Sequence, residues 1–138
     1  MEKLWANLHG GSTHFPIALM IASVIFDMLA YFLRKDSLRR DLSAAGFYSL
    51  MLGAAATFVA TLSGLVISAW QFFGNGLLAK HHDFVWPAFG LMIGLAVWRL
   101  VVREEATRPA QGAYLIVAAT TAGLMAAAGY FGGELLGS

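Results

Sequence analysis

The chain has no cysteine and little charge: none of its 138 residues is Cys, and 12% are Asp, Glu, Lys or Arg, against roughly a quarter in an average soluble domain. Without thiols there is no disulfide, no covalent c-type haem attachment, no thiolate-held iron–sulfur cluster and no Cys–zinc site. His, Met and carboxylates are the ligands that remain. The net charge of +1 points to no charged partner, and no nucleic-acid interface is expected. What is abundant is apolar: 59% of residues are hydrophobic and the mean hydropathy is +0.68. This is the composition of an integral membrane protein.

Four apolar runs, at 15–33, 44–73, 84–102 and 112–131, each approach or exceed the ~20 helical residues that cross a ~30 Å hydrocarbon core. They predict an all-α, antiparallel four-helix transmembrane bundle in one domain, with no internal repeat. The second run is longer than a span requires, so tilt or an extension near Trp70–Phe73 is expected. The breaks are RKDSLRRD (Arg34–Asp41), GNGLLAKHHD (Gly74–Asp83) and REEATRPAQ (Arg103–Gln111), short enough that neighbouring runs pack antiparallel. The segment before the first run, MEKLWANLHGGST, has one Lys and no apolar core of its own. The first helix is therefore expected to direct its own insertion.

Arg34, Lys35, Arg39 and Arg40 lie in the first break, and Arg103 and Arg108 in the third. The positive-inside rule makes that face cytoplasmic, with both termini periplasmic in a bacterial inner membrane and with Trp5, Trp70 and Trp86 at the outer boundary. His9, His14, His81 and His82 are all the histidines of the chain, and each falls at that same outer face. Gly132-Gly133-Glu134 marks the exit of the fourth helix there.

Small residues recur at four-residue intervals in Ala60-xxx-Gly64-xxx-Ser68, Gly90-xxx-Gly94 and Ala119-xxx-Gly123-xxx-Ala127. They predict close helix packing, or room for a flat cofactor between helices. Asp27 lies about 20 Å inward of His14, and Arg99 about 22 Å inward of Phe84, at the helical rise. Charges at matching depth suggest a buried Asp27–Arg99 ion pair; alternatively Asp27 handles protons and Arg99 snorkels to the cytoplasmic boundary.

Four chemistries suit the histidines. Two imidazoles from the first and third helices can grip a b-type haem; His14 and His82 are the expected iron ligands because each directly precedes its apolar run, with His81 and His9 further out. Phe15, Trp86, Tyr130 and Phe131 would line that pocket and Lys80 would meet the propionates. A divalent metal site would add Glu134 or Asp83. A quinol site would use a hydrogen bond from His14. Helix capping and interfacial water are the remaining role.

The stretch His14-Phe15-Pro16-Ile17-Ala18-Leu19 with Asp27 beyond it, a His at the start of the third helix, and the Gly129–Leu136 ending resemble the small bacterial four-helix membrane protein family DUF2231, over nearly the whole chain from about Leu8 to Gly137. Within it, the pattern falls on His14, Phe15, Pro16 and Asp27, on a more variable His9, and on His81 or His82. Relatives often continue past the Gly-Gly-Glu-Leu tail with a Tyr and a His-Gly turn, which has no counterpart before Ser138. The resemblance implies a four-helix membrane domain, found alone or joined to Rieske-type or cytochrome c-like modules.

The resulting expectation is an electron-transfer subunit rather than an enzyme. It would hold haem b and pass electrons between a periplasmic cytochrome or Rieske-type protein and quinone or another membrane redox protein. The alternative is a cofactor-free structural or assembly subunit of a larger membrane complex.

Overall fold

The computed structural model describes residues 2–33, 35–102 and 105–137; Arg34 and Arg103, two of the basic residues used to orient the chain, lie outside them. Five helices follow in order: α1 (Glu2–Ser12), α2 (His14–Phe32), α3 (Asp36–Ile67), α4 (Leu77–Val102) and α5 (Arg108–Gly137). No strand occurs among the described residues. Four stretches, Lys3–Phe32, Asp36–Ile67, Leu77–Val102 and Arg108–Leu135, are long and apolar enough to cross a membrane. The architecture is the all-α four-helix membrane bundle.

α1 and α2 make one membrane-length unit. Thr13 between them keeps helical angles (φ −67°, ψ −28°), and its N–H still reaches the His9 carbonyl at 3.0 Å. Gly10 and Gly11 are poor helix formers, and they hid this extra helix from a reading based on apolar runs. His9 consequently sits within a helix rather than on a loop.

The other boundaries differ from expectation for a related reason. Apolarity reports immersion in lipid, whereas helix ends are set by backbone geometry. α3 stops at Ile67, not near Phe73, because Ala69 (φ 51°) and Trp70 (φ 61°) take the left-handed conformation, uncommon for non-glycine residues. The Trp70 N–H closes the end on the Leu65 carbonyl at 2.8 Å. The surplus length lies at the other end, reaching back to Asp36, whose carboxylate suits a helix N-terminus. α4 starts at Leu77, seven residues ahead of the apolar run, so His81 and His82 are also helical.

The membrane helices form a ring in which α2 packs on α3 and α5, and α4 on α3 and α5; α2 and α4 face each other along a diagonal. The ring consists of two helical hairpins, α1/α2–α3 and α4–α5. The hairpins repeat one pattern, contrary to the expectation of no repeat. Leu19-Met20-Ile21 returns as Leu91-Met92-Ile93, and the pairs His9/His81, Met20/Met92 and Asp27/Arg99 all share a separation of 72 residues. On the partner helices, Ala54/Ala122, Ala60/Ala128 and Gly64/Gly132 share a separation of 68.

Matched residues have matched environments. Met20 and Met92 are both 0% exposed, Leu50 and its counterpart Ala118 are 0% and 1%, and Ala60 and Ala128 are both buried. Both hairpins run the same way through the bilayer, so an approximate two-fold axis runs along the bundle, as in membrane proteins built from parallel repeats. The two charges, the two core methionines and the two imidazoles mark three levels along it.

Close packing uses Gly64 of the first expected stripe, beside which Ala60 is buried, but otherwise other glycines than those of the expected stripes. A Cβ on Gly53 would come within 2.6 Å of the Met92 methyl, and one on Gly129 within 2.9 Å of Ile17. Gly90, Gly94 and Gly123 instead lie on exposed faces, with nothing within 4 Å of a Cβ. A four-residue spacing places small residues on one face but does not say which neighbour that face meets.

Candidate functional site

At the end of the bundle where α1 joins α2 and α4 begins, residues of all five helices surround a mainly apolar cavity, lined by His9, His14, His81 and His82 together with Trp86 and Phe89. It encloses about 1010 Å³ of atom-free space, counting the part open to the surface.

His9 and His81 are held by the same device. His9 Nδ1 lies 2.9 Å from the Ala60 carbonyl, and His81 Nδ1 lies 2.9 Å from the Ala128 carbonyl. A carbonyl only accepts, so in each neutral ring Nδ1 carries the proton and Nε2 keeps its lone pair. One turn beyond each carbonyl comes a glycine that makes room for the ring: a Cβ would approach His9 Cε1 to 2.9 Å from Gly64, and His81 Cε1 to 3.1 Å from Gly132. The Ser63 hydroxyl, donating to the Ala60 carbonyl at 2.9 Å, adds a second contact to His9 Nδ1 at 3.1 Å. An Nδ1–H anchored on a backbone carbonyl fixes tautomer and orientation, the usual support of a metal-ligating imidazole.

The other two histidines are placed differently. His14 is exposed at the cavity's edge. His82 is 7% exposed and its Nδ1 is buried with no hydrogen-bond partner among the described residues; its repeat position in the first hairpin is Gly10, so it breaks the symmetry of the pocket. His82 packs 6.0 Å from Trp86, centroid to centroid. Trp86 stacks on Phe72 and donates to the Phe72 carbonyl at 2.7 Å.

Among the aromatic residues named as lining, Trp86 lines the cavity, whereas Phe15 (64% exposed) and Tyr130 (63%) face outward. Tyr130 donates to Glu134 at 2.8 Å. Phe131 stacks on Phe84 instead. Asp83, Glu134 and Lys80 are exposed. Among the described residues no group of three or more His, Asp or Glu converges as a metal cage would require.

At the opposite end, Asp27 and Arg99 form a buried ion pair, Nη1 to Oδ2 2.7 Å, with side chains 7% and 8% exposed. The same oxygen accepts from Tyr114 at 2.9 Å and lies 3.5 Å from the Ser23 hydroxyl. Arg99 Nη2 donates to the Ser43 carbonyl at 2.9 Å, and the guanidinium lies over the rings of Tyr114 and Phe47. Buried charges persist only when paired and bonded in this way. Gly46 provides the space, since a Cβ there would run into the Asp27 carboxylate.

Sequence reasoning missed Tyr114 and the carbonyl anchors. The equal spacing of His9 and Asp27 against His81 and Arg99, reinforced by the repeated Leu-Met-Ile, was the available signal for the paired imidazoles. Nothing local distinguishes Tyr114 from the other aromatic residues of its run.

Compared with known proteins, residues 6–137 match the model of a family described as "Predicted membrane protein (DUF2231)". No curated protein and no solved structure matches.

Proposed function

The chain belongs to the DUF2231 family of predicted membrane proteins, and we propose that it serves as a membrane electron-transfer subunit holding one b-type haem between His9 and His81. The observation that carries this reading is the matched pair of imidazoles. Two rings from opposite hairpins line one apolar cavity, each with Nδ1 committed to a carbonyl and each seated against a glycine.

The residues present suit the group. Two imidazole nitrogens and no thiolate would suit b-type ligation, an apolar slot between helices is where bundles hold such cofactors, and a two-ligand arrangement would need no third carboxylate or imidazole. The ligand choice passes from His14 and His82 to His9 and His81 on physical grounds: His14 faces out, and among the described residues no hydrogen bond fixes its ring or the buried Nδ1 of His82. His82 Nδ1, buried against the same cavity, would need a hydrogen-bond partner supplied by whatever fills the space.

When bound, haem iron supplies a one-electron couple. The protein's own contribution is to fix the two rings, exclude water with Ala88, Phe89 and Met125, and hold the site near one bilayer surface. A periplasmic cytochrome or Rieske-type protein would exchange electrons there, with quinone or a larger membrane complex as the other partner. Lys35, Arg39, Arg40 and Arg108 at the far end favour the orientation in which the histidine end is periplasmic and the membrane is the bacterial inner membrane.

The test is the haem and iron content of protein purified from haem-replete cells. About one haem per chain is expected in the wild type, with little retained by His9→Ala or His81→Ala and wild-type content in His14→Ala. Haem and iron absent from correctly folded wild type would leave the cofactor-free subunit as the account.

A further inference from the structure

The end of the bundle opposite the histidines holds a second cavity of a different character. It has about 670 Å³ of atom-free space, counting its open part, and is walled by α2, α3, α4 and α5. Among the described residues, three arginines line it, Arg39, Arg40 and Arg99, against one carboxylate residue, Asp27. That carboxylate is already committed: its Oδ2 takes the Arg99 and Tyr114 donors within the bundle. Among the described residues, Arg39 is paired with the exposed Asp36 at 3.6 Å, a surface pair of little strength. A fourth guanidinium, Arg108, lies over the ring of Tyr31, another lining residue, at 4.5 Å, and donates to the Tyr31 carbonyl at 3.1 Å.

The helix ends around this cavity place it at the boundary of the apolar spans. A mouth ringed by arginine at that depth attracts an oxyanion that guanidiniums can bind in pairs, and phosphate is the chemistry such forks match. The rim also offers apolar surface: the Tyr31 ring meets Phe32 edge-on at 5.1 Å, and Phe32 is 70% exposed along the spanning segment. A free phosphate would have no use for that surface, whereas the acyl chains of a phospholipid would.

We propose that this arginine-lined cavity binds the phosphodiester headgroup of an anionic phospholipid, with Arg39 and Arg40 as its principal contacts and Arg99 as the fixed positive floor. Basic pockets between membrane helices take such headgroups, and each arginine near the surface contributes about fivefold in affinity. The site is independent of the haem reading, since the two cavities lie at opposite ends of the bundle.

The experiment uses the full chain, delipidated in neutral detergent and titrated with cardiolipin, phosphatidylglycerol or phosphatidylcholine, followed by native mass spectrometry and thermal unfolding. Retention of about one anionic lipid and a raised melting temperature are expected, with phosphatidylcholine giving neither. The double variant Arg39→Gln/Arg40→Gln, which leaves the buried pair intact, should bind anionic lipid more than tenfold more weakly. Lys3→Gln, at the other end, should bind as wild type does. Equal anionic-lipid binding by wild type and the double variant would overturn the proposal. So would stabilisation by millimolar inorganic phosphate with no retained lipid, which would assign the site to the free anion.

Discussion

His9 and His81 are one structural solution used twice: each ring rests on a glycine of the neighbouring helix, Gly64 or Gly132, and each Nδ1 lies 2.9 Å from the carbonyl one turn earlier. The relation follows from the repeat of the two hairpins, and it sets two of the four histidines apart as a pair of oriented imidazoles. The glycines should therefore act through the rings. Gly64→Ala and Gly132→Ala should each shift the haem absorption bands or lower haem content, while the protein stays folded by circular dichroism. Unchanged spectra in both variants would mean that ring placement does not depend on these contacts.

The ion pair at the far end joins the two hairpins, Asp27 standing on α2 and Arg99 on α4. Asp27→Asn leaves Arg99 buried with a neutral partner, and Arg99→Met leaves Asp27 uncompensated; each should cost about 3–5 kcal/mol of stability. The double change Asp27→Leu/Arg99→Met should recover a large part of the loss. Denaturant unfolding in detergent measures this, and a double variant as unstable as the sum of the single ones would contradict the pairing.

Gly46→Ala makes a sharper demand on the same cluster. The added methyl would meet a carboxylate that cannot swing away, since Arg99 and Tyr114 both hold it. Overpacking of a fixed group costs about 1–3 kcal/mol, whereas Gly90→Ala, on an open face, should be neutral or mildly stabilising. Comparable melting temperatures for the two alanine variants would show that Gly46 is not confined by Asp27.

The two-fold relation makes a prediction at the middle level. Met20→Ala and Met92→Ala empty equivalent, fully buried positions and should lose similar stability, about 2–5 kcal/mol each. A neutral result at one position with a large loss at the other would reject the equivalence.

Fold class and span count were legible in the sequence because a bilayer demands long apolar runs, and Asp27 and Arg99 stood out because charge inside such runs is costly. Helix ends were not legible: Glu2–Ser12 is too polar to register as a span, and the stop at Ile67 depends on left-handed angles at Ala69 and Trp70 that no residue type announces. Which histidine rings are held in place was not legible either. Nearness to the apolar run favoured His14, but the direction a ring points depends on which neighbouring helix offers a carbonyl and a gap. Ala60/Gly64 and Ala128/Gly132 offer both, to His9 and His81.

The decisive measurement is the reduced-minus-oxidised difference spectrum of the purified protein. Soret and α bands of a low-spin b-type haem are expected in wild type and in His14→Ala, with their loss or conversion to a high-spin form in His9→Ala and His81→Ala. Identical bands in all four proteins, or their disappearance in His14→Ala alone, would contradict the proposed ligands.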